Sequence, residues 1–334
     1  MRHRLKDVAE RAGVSVKTVS NVVNGYAHVR PDTRARVLEA IELLGYRPNL
    51  NARNLRRGRT GVIALAVPEL DLPYFAELAR HVVAAAARHD WTVLIDQTGG
   101  DPTREREVAS GIRDHMIDGL VFSPLALTGA DLAAVHPTPM VLVGERVDHA
   151  GADHVAVDNV AAAHDMTAHL IGTGRRRVAA IGAQHTVEGV TARLRLAGYT
   201  AALEAAGLPV DPTLIAPATH WHRADGAAAM RALLESGARP DAVFCFNDTL
   251  ALGALRALHD AGLRVPDDVA VAGFDDIEDG RYSVPTLSTV APDKADLAAL
   301  AVDLLAARIA APDGAPPGER TVPHTLHVRE STAA

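Results

Sequence analysis

Hydrophobic positions recur along this chain with two different periods, and the change of period marks its organisation. Near the start, Leu5, Val8, Ala9 and Ala12 follow helical spacing, Gly13 permits a sharp turn, and Ser15 is suited to cap a second helix. In that second helix Val19, Val22 and Val23 face inward, while Val16, Lys17, Thr18, Ser20 and Asn21 stay outward. A third amphipathic helix is predicted over 32–44, with Val37, Leu38, Ile41 and Leu44 as its buried stripe and Pro31 at its first turn.

From Val62 onward the pattern becomes short apolar runs alternating with helical stretches. Strands are predicted at 62–67, 91–95, 119–122 and 140–143, with helices starting at Pro73, at Pro102 and near Gly129. The scheme then repeats: strand 177–181, helices 188–206 and 224–235, strand 242–246, helix 248–261 and strand 269–274. Such alternation means parallel sheets covered on both faces, and a body of this length divides best into two similar α/β subdomains with a cleft between them. Ligands in such folds gather at the C-terminal ends of strands, which makes Tyr74, Asn247, Asp248 and Asp275 candidates. Each has a plainer reading, since an Asp or Asn after a strand is also an ordinary helix cap. By default Arg193 is a surface charge, Trp221 in THWHRADG a packing residue, and the Pro- and Gly-containing stretch 311–318 a surface loop.

Charge sharpens this division. Residues 1–60 hold 13 Lys and Arg against 5 Asp and Glu, or +8, whereas the remainder holds 21 against 36, or −15, giving the net −7 of the 334-residue chain. A basic head on an acidic body suits a polyanion-binding module joined to something that must not bind polyanions. The one cysteine, Cys245, sits inside an apolar run and reads as a buried thiol that has no intrachain disulfide partner. The N-terminus lacks the apolar core of a signal peptide, and apolar runs such as 82–87 fall far short of the roughly 18 residues that suggest a membrane span. A cytoplasmic protein without a membrane partner is expected. Catalysis finds no constellation: GxSxG, HExxH and CxxC are missing, and GTGRRR from Gly172 reads as a helix C-cap leading into a strand. His164 and His169, five apart, leave a common helix face, so no metal site is expected, and neither a cofactor nor an enzyme.

The outward face of the second helix carries the most specific chemistry. In a helix-turn-helix this element enters the major groove, where Lys17 can donate to guanine, Asn21 can pair bidentately with adenine, and Val16 can touch a thymine methyl. Any three-helix bundle can show the same spacing, so periodicity leaves both readings open. The following run NLNARNLRRG, 49–58, is basic and too short to be a stable helix alone. Formed on DNA beside a dimer mate, it can push Leu55 between base steps in the minor groove; packing of Leu55 on the body is the other reading.

Taken together, DVAERAGVSVKTVSNVVNG, then Thr33, Arg34, Val37, the run LGYRPN and the segment with Ala52 and Leu55 resemble the headpiece of the LacI/GalR family of transcriptional repressors. The body segments TARLRLAGY, FNDTLALGALRAL and GLRVPDDVAVAGFDDIEDGRYSVPTLSTV are similar to that family's effector-binding core, most of all to the core of its namesake. The resemblance implies an α/β protein with a helix-turn-helix headpiece over 1–47, a hinge helix and linker over 48–60, and a core of two periplasmic-binding-protein-like subdomains over 61–334 that binds effector and dimerises. The implied function is sequence-specific repression, with affinity for a double-stranded, pseudo-palindromic operator controlled by a small molecule.

It further implies Val16, Lys17 and Asn21 as base readers, Thr18, Ser20, Asn24 and His28 nearer the backbone, Ala52 and Leu55 in the minor groove, and Arg193, Trp221, Asn247 and Asp275 around the effector. Those groups suit a mono- or disaccharide: Arg193 and Asp275 can bond vicinal hydroxyls, Asn247 donates and accepts, and Trp221 offers an apolar face. There are departures from the family pattern. Arg30 replaces the usual Ser or Thr cap of the third helix. Val143 or Gly144 stands where the namesake has an aspartate, leaving Glu145 or Arg146 to supply that side, and Leu72 replaces a polar residue. The Arg/Thr set of purine-responsive members is missing near Val187 and Glu188, and no C-terminal heptad helix follows TVPHTLHVRESTAA, so a homodimer is expected. Alternatives are control by a non-sugar ligand or a protein corepressor and, in a different class, a sugar-binding transport protein.

Overall fold

The computed structural model describes residues 4–23, 26, 28–46, 59–110, 116–134, 138–144, 151–184, 189–312 and 314–333. Contacts within the chain divide it into two compact units, Met1–Thr60 and Gly61–Ala334.

In the first unit, α1 (Leu5–Ala12), α2 (Val16–Val23) and α3 (Pro31–Leu43) pack around Val8, Ala9, Ala12, Val19, Val22, Val37 and Ala40. Gly13 ends α1 in the left-handed conformation, φ 64°, as its lack of a side chain allows. Three residues later α2 has begun. On α3 one expectation fails. Leu38 is exposed, and the stripe runs through Val37, Ala40, Ile41 and Leu44, with Tyr46 buried beyond the helix end. The turn after α3 folds Tyr46 back onto the bundle, its N–H donating to the Ile41 carbonyl at 3.0 Å, so the aromatic ring joins the core without Leu38.

The second unit contains two six-stranded sheets. One is wholly parallel in the order β11-β5-β4-β3-β1-β2, and the other has the order β12-β10-β9-β8-β6-β7, with only β12 antiparallel. The strands of the first are β1 (Val62–Val67), β2 (Thr92–Gln97), β3 (Gly119–Phe122), β4 (Met140–Val143), β5 (Asp153–Val157) and β11 (Glu319–Val322). Those of the second are β6 (Val178–Ala183), β7 (Ile215–Pro217), β8 (Ala242–Cys245), β9 (Ala270–Phe274), β10 (Ser288–Pro292) and β12 (His324–His327). The chain therefore passes between the subdomains three times: after β5, after β10 and between β11 and β12.

Nearly every central strand residue is buried, as a sheet covered on both faces requires. The helices of the N-terminal subdomain are α4 (Pro73–Ala87), α5 (Pro102–Ala109) and α6 (Gly129–Ala133), joined by α12 (Lys294–Ala310), which returns from the other subdomain to pack on α4. The C-terminal subdomain has α7 (Asn159–Gly172), α8 (Val190–Ala205), α9 (Arg223–Glu235), α10 (Asp248–Asp260) and the short α11 (Glu278–Tyr282). There, α9 crosses α10 backbone to backbone. A Cβ on Gly226 would land on the Leu250 main chain, and one on Gly253 on that of Arg223, so both positions exclude any side chain.

Candidate functional site

Ser15 starts α2 by accepting a hydrogen bond from the Thr18 N–H at 3.1 Å, and its hydroxyl meets that of Thr18 at 2.9 Å. Burial of Val19 and Val22 turns the opposite face outward. Val16 is 45% exposed, Lys17 is exposed, and Thr18, Ser20 and Asn21 are half-buried beside them. His28 is exposed in the loop before α3, whose first residue follows Arg30 without any side-chain cap. The structure thus groups Val16, Lys17, Thr18, Ser20 and Asn21 around one accessible helix face. Asn24, Ala52 and Leu55 lie outside the described residues.

In the second unit a cavity of about 590 Å³ opens between the C-terminal edges of the two sheets. Residues directly after β1, β2, β3 and β4 form one wall, and residues after β6, β7, β8 and β9 form the other. Trp221, Asn247, Asp275 and Tyr74 all line it. Arg193 does not. It is exposed on α8, and Arg195, two residues on, lines the cavity with Thr191. The reason is helical geometry: positions 191, 195 and 199 share a face, and a step of two residues reverses the direction of a side chain.

Arg195 is held from several sides. Its Nε donates to Asn159 Oδ1 at 2.9 Å, one terminal nitrogen donates to the Phe246 carbonyl, and the other lies 3.9 Å from Asp275 Oδ1. The guanidinium also stacks over Phe274, 3.4 Å from the ring centroid, and faces Trp221 at 5.4 Å. Arginine and aspartate side chains are 8% and 10% exposed, so the pair is nearly dry, yet both residues border the cavity. Burial pushes the Asp275 carboxyl up to about 6, while Arg195 and then Lys294 pull it down and Glu77 raises it. Tyr74, on the facing wall, is held protonated well above the usual phenol range by burial and by the Asp275 charge.

Asn247 caps a helix and also borders the cavity. Its Oδ1 caps α10 through the Leu250 N–H at 2.8 Å, and its Nδ2 donates to the Trp221 carbonyl at 3.0 Å. One lone pair and one N–H remain for a ligand. Trp221 is fixed by its own indole N–H, which donates to the Gly182 carbonyl at 3.1 Å, and by an edge contact with Phe246. Asp248 lies beneath, fully buried, accepting from Thr289 Oγ1 at 2.6 Å and from the Ile277 N–H at 2.9 Å; burial raises its carboxyl well above the ordinary range.

The opposite wall is plainer, with Leu72, Phe75, Gly100, Ser123, Leu125 and Gly144. Gly144 stands at φ 84°, and a side chain there would meet Ser123 Oγ at 3.4 Å; Glu145, Arg146, Val187 and Glu188 lie outside the described residues. At the cavity mouth His222 Nε2 meets Glu69 Oε2 at 2.7 Å, bridging the subdomains. Asp71 approaches the same pair within 4.8 Å, making the one set of three metal-capable groups among the described residues. His164 and His169 are occupied separately, by Asp165 and Thr332. Cys245 is buried in β8, where burial lifts its thiol far above the reactive range.

Residues 4–49 match the model of the lacI family of bacterial regulatory proteins, and residues 167–332 match that of the periplasmic binding protein-like domain. Across nearly the whole length, 33% identity over 92% of this chain and 92% of the relative links it to the ribose operon repressor of Haemophilus influenzae. The chain belongs to the LacI family. Among solved structures, this LacI-family regulator is similar to the lac repressor dimer bound to operator and the anti-inducer ONPF, at 28% identity, TM-score 0.87 and full coverage of both chains. It is also similar to the transcriptional regulator CelR in complex with cellobiose, at 32% identity and TM-score 0.72 over 99% of this chain and 100% of that one. No helix among the described residues is long and apolar enough to cross a membrane.

Sequence reasoning about this LacI-family regulator missed Arg195, Thr191 and Asn159. A signal for the first was present: Ala192, Arg195, Tyr199 and Ala202 follow the buried period of α8, so the arginine sits on the apolar stripe. Asn159 had no such mark, because its partner is 36 residues away.

Proposed function

We propose that this transcriptional regulator acts as a cytoplasmic, non-enzymatic homodimer, each headpiece reading half of a pseudo-palindromic operator, with operator affinity set by a neutral polyhydroxylated ligand in the cavity. Val16, Lys17 and Asn21 read base edges; Thr18, Ser20, Asn24 and His28 contact the backbone, and Ala52 and Leu55 enter the minor groove. The observation that carries the ligand reading is the nearly dry Arg195–Asp275 pair bordering the cavity beside the Trp221 ring. A guanidinium and a carboxylate side by side offer donors and acceptors to vicinal hydroxyls, and the indole matches the apolar face of a pyranose. An anion gains little from such a balanced pair. A volume of about 590 Å³ accommodates a mono- or disaccharide, and the likeness to a regulator solved with cellobiose supports that class.

The mechanism is a two-state one. Ligand bound across both walls changes the angle between the subdomains and the spacing of the segments that join each body to its headpiece, and operator affinity changes by the same factor that operator binding imposes on the ligand. The test is fluorescence anisotropy of the full chain on DNA from its own upstream region, at fixed salt, with a panel of mono- and disaccharides and purines. Release or tightening by one sugar is expected. A response to purines alone overturns the sugar reading, and indifference to DNA sequence overturns the operator reading.

A further inference from the structure

A second carboxylate, besides Glu69, joins the two subdomains beside the cavity. Glu77 lies on α4 three residues after Tyr74, so it sits on the helix turn that also lines the ligand space. Its Oε2 accepts from Lys294 Nζ at 2.5 Å, and its Oε1 accepts from the Glu278 N–H at 3.0 Å. Both partners come from segments that follow strands of the other sheet, β10 and β9.

Lys294 makes two further bonds. Its ammonium donates to the carbonyls of Asp275 at 2.6 Å and of Asp276 at 3.1 Å. Those residues form a turn in which two successive non-glycine positions have positive φ, 111° and 48°. Such a conformation persists only where its surroundings hold it. Asp276 is anchored on the far side by Arg329 and Arg281, each at 2.6 Å, and the Ile277 N–H is held by Asp248. On the near side, Lys294 is the side chain holding the Asp275 carbonyl, and it is only 10% exposed.

We propose that Lys294 and Glu77 are positioning residues of the ligand site: Lys294 fixes the strained turn that aims the Asp275 side chain at the cavity, and Glu77 ties that turn to α4, so that ligand occupancy at Asp275 reaches the N-terminal subdomain. This rests on the cavity being the effector site. A merely structural ion pair would hold the subdomains together without altering the response to ligand. The groups acting on the Asp275 carboxylate are Arg195 from α8, Lys294 from α12, and Glu77 and Tyr74 from α4, with Asp248 of α10 beneath. Lys294 favours the ionised form and Glu77 disfavours it. Removing either charge must therefore move the titration in opposite directions.

The experiment follows the carboxyl carbons of carbon-13-labelled aspartate by NMR in the full-length, ligand-free protein, with Asp275 assigned through Asp275→Asn. The wild-type midpoint is expected at about 6, higher in Lys294→Met, lower in Glu77→Gln, and returned towards wild type in Lys294→Arg. Unmoved midpoints, or shifts of the same sign, overturn the proposal. Should Lys294→Met lose its thermal transition, Glu77→Gln and Lys294→Arg decide it on the same criterion. A second arm titrates cellobiose against DNA-bound protein, where both neutral variants should need about tenfold more sugar for the same response. A wild-type response with unchanged variants overturns the coupling; silence of the wild type to cellobiose and to the sugar panel above overturns the sugar reading and leaves the NMR arm decisive for Lys294 and Glu77.

Discussion

The two walls of the cavity are built on opposite principles. The C-terminal wall presents polar groups that the protein has already immobilised: Arg195 by Asn159, Phe246 and Phe274; Asn247 by the α10 terminus and the Trp221 loop; Asp275 by its strained turn. The N-terminal wall offers mostly apolar and small residues, Leu72, Phe75, Gly100, Leu125 and Gly144, with Ser123 and Tyr74 as its hydroxyls and one carboxylate, Glu69, already paired with His222. The contrast teaches how labour is divided across the cleft. On the proposed reading of the cavity, polar recognition with little reorganisation belongs to one subdomain, and shape to the other. A ligand that touches both walls, as proposed, would bias the angle between them through the same contacts that recognise it.

The largest effect should come from Arg195→Ala. It leaves a buried carboxylate without its cation, so ligand response should vanish in the anisotropy assay and stability should fall by about 3–5 kcal/mol in chemical denaturation. Arg193→Ala, exposed on the other face of α8, should leave ligand response unaltered. Equal losses in both variants would remove Arg195 from the site. A ligand response that survives Arg195→Ala would erase the contrast between the walls.

Next in size is pH. With Asp275 titrating at about 6, ligand affinity should fall as the pH drops through that value, by about tenfold per unit well below it, if the ionised carboxylate holds the ligand hydroxyls. Stability moves the other way. Asp275 binds its proton more tightly folded than unfolded, so its contribution is present at acid pH and is lost as the pH rises from the ordinary carboxylate range through about 6. The ligand-induced rise in Tm should therefore grow with pH over that interval, and calorimetry at pH 5 and pH 7 checks it; a constant difference breaks the assignment.

A smaller effect is expected at Asp248. An asparagine there can accept from the Ile277 N–H and donate to Thr289 Oγ1, whose own hydrogen can turn to the Val290 carbonyl at 3.2 Å. Asp248→Asn should stay within about 1 kcal/mol of the parent at acid pH, and its relative stability should rise with pH because it removes a carboxyl whose proton is held by burial. A falling difference would show that Asp248 is ionised in the fold. Smallest of all, Ser123→Ala on the opposite wall should change ligand affinity by about threefold, near the low end of the roughly 0.5–1.5 kcal/mol that a single neutral hydrogen bond contributes net of solvent competition; a loss well beyond tenfold would mean that this wall also reads hydroxyls.

Much of the architecture was legible before any coordinates. Strands 62–67, 119–122 and 140–143 and the helix starts at Pro73 and Pro102 coincide with the observed elements, because continuous apolar runs and Pro at a first helical turn are local signals. Elements the pattern did not single out, β5, α7, β10 and α12, stand where the chain passes between subdomains or completes a sheet. Leu38 misled on α3 because Tyr46, beyond the helix, supplies the bulk the stripe was expected to provide. At the cavity, the segment TARLRLAGY contributes its second arginine, Arg195, where the sequence pointed to the first, Arg193.

By itself the sequence determined the helix-turn-helix head, the α/β body, the acidic and basic halves, and the strand ends where a ligand would sit, since each follows from periodicity, composition or adjacency along the chain. Tertiary structure decided which arginine is buried, that Asn159 orients it from 36 residues away, and that Glu77 and Lys294 meet across 217 positions around the turn carrying Asp275. Those facts depend on which faces the sheets bury and on how three chain crossings bring distant segments together, and neither is encoded in local spacing.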